Sequence, residues 1–124
     1  MDEKFKKQLE ENGADVKGTL QRFMGNETLY IKFLMKFLDD TNYAGLKESI
    51  AQKDYTAAFN HAHTLKGVSA NLGLNPVCAA VTKISDSLKN KPAEEVDAAQ
   101  IDELFGQFEE VYTQFFNLLQ ENRQ

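Results

Sequence analysis

Apolar residues recur along nearly the whole of this 124-residue chain at spacings of three and four, and no stretch alternates apolar with polar. That period is helical, so the chain must bury a set of helical stripes against one another and the fold class it predicts is all-α. Phe5 and Leu9 mark a short amphipathic start, and Val16, Leu20, Phe23 and Met24 mark a second short helix between Gly13 and Gly25-Asn26. From about Glu27, the stripe Leu29, Phe33, Leu34, Phe37 and Leu38, continued by Leu46 and Ile50, describes one long helix ending near Gln52, with Gly45 weakening its second half.

Asp54 is a good N-cap for the next helix, which runs to about Leu72 and stops where Gly73 is free to turn left-handed. Asn75-Pro76 supplies an N-cap and a first-turn proline for a helix that buries Val77, Val81, Ile84 and Leu88. Lys89-Asn90-Lys91-Pro92 breaks it. The last helix has a ragged start, near Pro92 or at Asp97 with Gln100 as its capping partner, and then repeats Ile101, Phe105, Phe108, Tyr112, Phe115 and Leu119. Four substantial helices with short connections predict an antiparallel four-helix bundle with a short N-terminal helical extension, one domain over residues 1–124.

Both histidines lie in the helix expected over about 54–72. Winding it at about 100° per residue gathers Ala58, Ala62, Leu65, Ser69 and Leu72 into a core stripe, with His61 and Val68 at its margin. Roughly 140° away lie Phe59, His63, Lys66, Gly67 and Ala70, which cannot face the same core. A solvent-facing helix surface ordinarily carries long charged or amide side chains, and this one is small and partly apolar, the composition of a docking surface. Glycine inside a helix costs about 0.5–1 kcal/mol relative to alanine, so Gly67 calls for a reason beyond helix stability, and close approach by a partner is one. Lys66 and Gly67 follow His63 by three and four positions, which makes both its surface neighbours.

This constellation suits phosphoryl transfer. A neutral imidazole is a nucleophile near pH 7, and the loose, in-line transition state of phosphoryl transfer is stabilised by positioned cations, a place Lys66 occupies. Ala62-His63-Thr64-Leu65-Lys66-Gly67, followed by Ala70-Asn71-Leu72-Gly73, resembles the motif of histidine-containing phosphotransfer (HPt) domains, whose pattern is Ala-His-x-Leu-Lys-Gly with a further glycine shortly after. Arg22-Phe23-Met24-Gly25-Asn26-Glu27-Thr28-Leu29-Tyr30 is similar to the run that opens the second helix in many members, which extends the resemblance over about Gly13 to Lys89. Asn75-Pro76 departs from it in making a more rigid helix start. The resemblance implies that His63 is the phosphoacceptor, Lys66 the cation beside the phosphoryl group, and Gly67 the clearance position; helical phase adds Phe59 and Ala70 to the docking face. The resemblance further implies receiver domains and a hybrid sensor histidine kinase as partners, with any Mg²⁺ belonging to the receiver and no cofactor of the chain's own.

Other chemistries fare worse. His61 and His63 are two apart and diverge on a helix, so they do not form a metal pair, and no Glu-x-x-His motif of the di-metal bundles occurs. The pairs Asp39-Asp40, Glu94-Glu95 and Glu109-Glu110 read as solvated faces, and no nucleotide-binding loop appears. With 14 Lys and Arg against 19 Asp and Glu, a formal net charge of −5, the chain is a poor nucleic-acid binder. No apolar run is long enough to span a membrane and no signal core opens the chain, so it is expected to be a cytoplasmic monomer, a free-standing relay protein or an excised domain. Cys78 has no partner for an internal disulfide and reads as a small buried hydrophobe. The competing function is a helical interaction module that binds partners through the same Phe59-to-Ala70 face without phosphorylation.

Overall fold

The computed structural model describes residues 1–123. Its elements are α1 (Glu3–Glu11), α2 (Val16–Arg22), α3 (Glu27–Phe37), α4 (Asn42–Ala51), α5 (Tyr55–Asn71), α6 (Asn75–Leu88), a short 3₁₀ turn (Ala93–Glu95) and α7 (Ala98–Glu121). No strand occurs among the described residues, and the all-α helical bundle is as expected. α5 packs between α4 and α6, α6 packs on α7, and α7 returns to α3 and α4, so the bundle closes around one core. α1 and α2 form the N-terminal extension, α1 lying on α7 and α2 beside α3.

Local chemistry accounts for most of the helix ends. Asp2, Asp15, Asn26, Asp54 and Asp97 each accept a hydrogen bond from a backbone N–H of the following first turn, satisfying donors that a helix start leaves orphaned. The start of α7 combines the two sequence alternatives: Pro92 leads into the 3₁₀ turn, and Asp97 then caps the helix by accepting from the backbone N–H of Gln100 rather than from its side chain. α6 is different, since its cap position is Leu74, without a side-chain bond, and Asn75 already lies inside the helix with Pro76 in its first turn.

Two expectations fail in the long-helix region. Residues 27–52 are two helices, because Leu38-Asp39-Asp40-Thr41 turns between α3 and α4. Asp40 Oδ1 accepts from both the backbone N–H and the Nδ2 of Asn42, at 2.7 and 2.9 Å, and this local bonding competes with helix continuation. Nor do Leu29 and Phe33 belong to the core. The buried face of α3 is Tyr30, Leu34 and Phe37, which leaves Leu29 37% and Phe33 38% exposed. Met24 is also outside its expected stripe: it follows α2 with φ +56° and is 94% exposed.

The stripes of the later helices are buried as their spacing requires. Val77, Val81, Ile84 and Leu88 of α6, and Ile101, Phe105, Phe108, Tyr112, Phe115 and Leu119 of α7, all face the core, each large side chain contributing about 1.5–3 kcal/mol. Tyr43 of α4 stacks on Tyr112 with ring centroids 4.1 Å apart, and its hydroxyl donates to Glu109, which also pairs with Lys47 at 3.1 Å. The Tyr43 hydroxyl and Lys47 together hold the Glu109 carboxyl below its ordinary range, which ties α4 to α7 through a charged acceptor.

Candidate functional site

α5 carries the site, and both of its ends are clamped. At the N-terminus Asp54 accepts from the N–H of Ala57 at 3.1 Å. At the C-terminus Gly73 is left-handed, φ +71°, and the N–H groups of Gly73 and Leu74 donate to the carbonyls of Ala70 and Ser69, the paired bonds of a Schellman close. Residues distant in sequence complete the clamp. Arg22 Nη2 donates to the carbonyls of Ala70 and Asn71 at 3.1 and 3.2 Å, placing a cation at the negative end of the helix dipole. The buried Tyr30 hydroxyl donates to the Leu72 carbonyl at 3.1 Å, and burial pushes that phenol up to about 12, so it stays a donor. The sequence run Arg22-to-Tyr30 thus reaches α5 physically, a role that its local spacing did not reveal.

The faces of α5 divide largely as the helical phase requires. Ala58, Ala62, Leu65, Ser69 and Leu72 are buried, and Ser69 satisfies its hydroxyl by donating to the Leu65 carbonyl at 2.7 Å. His63, Gly67 and Ala70 are exposed. Lys66 is half-buried, its carbonyl accepting from Ser69 and from Cys78, whose thiol is partly exposed rather than buried. Phe59 is likewise half-buried: it packs against the core, and its ring stacks on His63. A Cβ built at Gly67 meets nothing within 4 Å.

The two histidines sit in opposite circumstances. His61 Nδ1 lies 2.9 Å from Asn42 Oδ1. Since the Asn42 amide nitrogen donates to Asp40, the Asn42 oxygen is the acceptor and His61 Nδ1 carries the proton. Gly45 of α4 lies directly against this ring, where an added Cβ would fall 2.4–2.8 Å from its Cε1, Nε2 and Nδ1 atoms. What looked in the sequence like a helix-weakening glycine is the clearance that lets α4 and α5 meet over His61. Replacing Gly45 by alanine is therefore expected to destabilise the fold by up to about 2 kcal/mol, because overpacking of about 1–3 kcal/mol is offset only in part by a gain in helix propensity of about 1 kcal/mol. In a His61→Ala background the same substitution should instead stabilise. Thermal melts of the two single variants and the double variant decide it, and a Gly45→Ala protein as stable as the parent would refute the contact.

Around His63, no described side chain hydrogen-bonds either ring nitrogen, and none of the described ion pairs involves Lys66. A groove between α3 and the C-terminal part of α5 is lined by Phe33, Lys36, Phe37, Asp40, Val68 and Asn71, with the Lys36 ammonium 5.1 Å from the Phe33 ring centroid. No group of three His, Cys, Asp or Glu side chains converges among the described residues, and no helix there is long and apolar enough to cross a membrane.

The bundle thus holds His61 in its wall, against Asn42 and Gly45, and displays His63 on the same helix. The model of the Hpt domain family matches residues 32–118, more than two thirds of the chain, and the chain belongs to that family. The match reaches into α7, beyond the sequence resemblance, and leaves out the Arg22-to-Tyr30 run that the resemblance included. No curated protein and no solved structure matches the chain. Membership implies histidine phosphotransfer in two-component signalling, the task of carrier domains that interact with receiver domains and kinases.

Proposed function

We propose that the protein is a phosphorelay intermediate in which His63 accepts a phosphoryl group from the aspartyl phosphate of one receiver domain and donates it to another. The observation that carries this reading is the contrast on α5: His61 is held by Asn42 and roofed by Gly45, whereas His63 is exposed with both ring nitrogens unengaged by the described residues. In the transfer step an in-plane lone pair of the imidazole attacks phosphorus, the bond from phosphorus to the aspartyl carboxylate oxygen breaks, and the carboxylate departs with the electron pair. The second ring nitrogen keeps its proton. Lys66, one turn along the same face, supplies positive charge to the equatorial oxygens as they develop, while Mg²⁺ belongs to the receiver. Exposed Gly67 and Ala70 leave room for the rim of the receiver's pocket, and Phe59 borders the same face. The net acidic chain is suited to protein partners rather than nucleic acid, and we assign it to the cytoplasm as a monomer.

Incubation of the purified protein with a phosphorylated receiver is expected to place acid-labile, base-stable phosphate on the chain, and its absence would leave the interaction-module reading in possession of this face. Gly67 sharpens the test. With open space at its Cβ position, Gly67→Ala should stabilise the fold by about 0.5–1 kcal/mol, and Gly67→Gln should also melt no lower than the parent while blocking receiver binding and transfer. A destabilised Gly67→Gln protein with normal transfer would contradict the docking face.

A further inference from the structure

We infer that Phe59 is a positioning residue for His63, holding the imidazole by ring stacking so that neither nitrogen is consumed in orienting it. The inference rests on the reading of His63 as phosphoacceptor. Phe59 precedes His63 by one turn, the spacing at which helical side chains meet, and the two rings stack with centroids 5.8 Å apart and planes inclined by 19°. That is the offset-parallel geometry favoured by aromatic pairs.

The chemistry of the imidazole explains why a stacked ring suits this position. Both nitrogens present their lone pair or N–H in the ring plane, so a hydrogen-bonding orienter, such as Asn42 is for His61, must occupy one of them. A partner on the ring face occupies neither. An exposed histidine otherwise samples several rotamers, and confining it towards a near-attack geometry lowers the barrier to transfer. Phe59 can impose that confinement because it is itself anchored: it is half-buried, packs against the core, and lines a groove together with Tyr55, Leu88 and Pro92. Its ring is thus set by the bundle, and the imidazole is set by its ring.

The distinction from simple docking is kinetic. A docking residue contributes to affinity for the receiver, whereas a positioning residue contributes to the transfer rate once the receiver is bound. Phe59→Leu keeps an apolar side chain against the core and removes the aromatic face, while Phe59→Tyr keeps the face. With the full chain and a phosphorylated receiver, Phe59→Leu is expected to lower the transfer rate at saturating receiver by about 3–10-fold, the worth of an aromatic pair, with affinity within about twofold, and Phe59→Tyr to restore the rate. In the unphosphorylated protein the imidazole C–H resonances of His63 should shift in Phe59→Leu, as the ring current is lost, and stay in place in Phe59→Tyr, while those of His61 change in neither. A Phe59→Leu protein that transfers at the parental rate, loses affinity alone, or leaves the His63 resonances unmoved overturns the positioning role. If the parent protein accepts no phosphate, the carrier reading falls and this one with it. A parent that accepts phosphate beside an unimpaired Phe59→Leu variant removes the positioning role only.

Discussion

Replacing His63 by glutamine is expected to abolish phosphate acceptance altogether while leaving the melting temperature within a few degrees of the parent. Glutamine has the size and polarity for an exposed helical position and is a better helix former than histidine, but its amide nitrogen has no available lone pair with which to attack phosphorus. The fold loses little, since His63 is exposed and, among the described residues, Phe59 is the one aromatic ring stacked on it. His61→Gln reverses the pattern. It removes the imidazole packed against Gly45 and disturbs the hydrogen bond to Asn42, for a loss of about 1 kcal/mol, yet the protein should still accept phosphate. Chemical-stability profiles of the attached phosphate and thermal melts, taken on both variants, separate the two histidines. Phosphate retained on the His63→Gln protein, or lost from a folded His61→Gln protein, would move the acceptor elsewhere.

The largest stability effect is expected at Gly73, where alanine should cost about 2–5 kcal/mol. Two independent penalties add there. The backbone is left-handed at φ +71°, which a side chain disfavours by about 1–2 kcal/mol. In addition, a Cβ at this position would lie 2.1 Å from Thr19 Oγ1 and 2.7 Å from the Asp15 carbonyl oxygen, an overpacking of about 1–3 kcal/mol. Thr19 is not free to swing aside, because its hydroxyl donates to Asp15 O at 2.6 Å and accepts from Arg22 at 3.2 Å. Asp15 is held in turn by its own N–H, which donates to the Gly73 carbonyl at 2.8 Å. Against a total stability of about 5–15 kcal/mol, the melting temperature should fall by about 10 °C or more. A Gly73→Ala protein melting within about 3 °C of the parent would show that the α2 segment gives way easily. Gly67 and Gly73, six residues apart in one motif, should therefore respond to the same substitution with opposite signs.

That opposition shows where a linear reading stops. Gly73 was legible as a helix stop because left-handed closure is a local preference, and Asp54 and Asp97 were legible as caps for the same reason: the bonds join residues three apart. The core face of α5, and the buried stripes of α6 and α7, followed from helical phase alone, as did the separation of His61 from His63. The family motif around His63 is equally local, contained within Ala62 to Gly73. The extended apolar stripe from Leu29 to Ile50 misled, because periodicity continues across Asp40 and Asn42 although their side-chain bonding stops the helix. Asp39-Asp40-Thr41-Asn42, four turn-forming residues in a row, was the available signal.

What the sequence determined by itself are thus properties set by neighbours within one turn: helix period, caps, the left-handed stop and the two faces of α5. Only the tertiary structure decided which surfaces meet across the bundle. It set Gly45 against the His61 ring, brought Arg22 and Tyr30 to the last carbonyls of α5, left Phe33 exposed beside it, and drew Phe59 inward to stack on His63. These contacts join residues 16 to 49 positions apart, or depend on how much of a helix flank its neighbours cover. A side chain's spacing fixes its direction around its own helix axis, and the partner it finds there depends on the packing of every other helix.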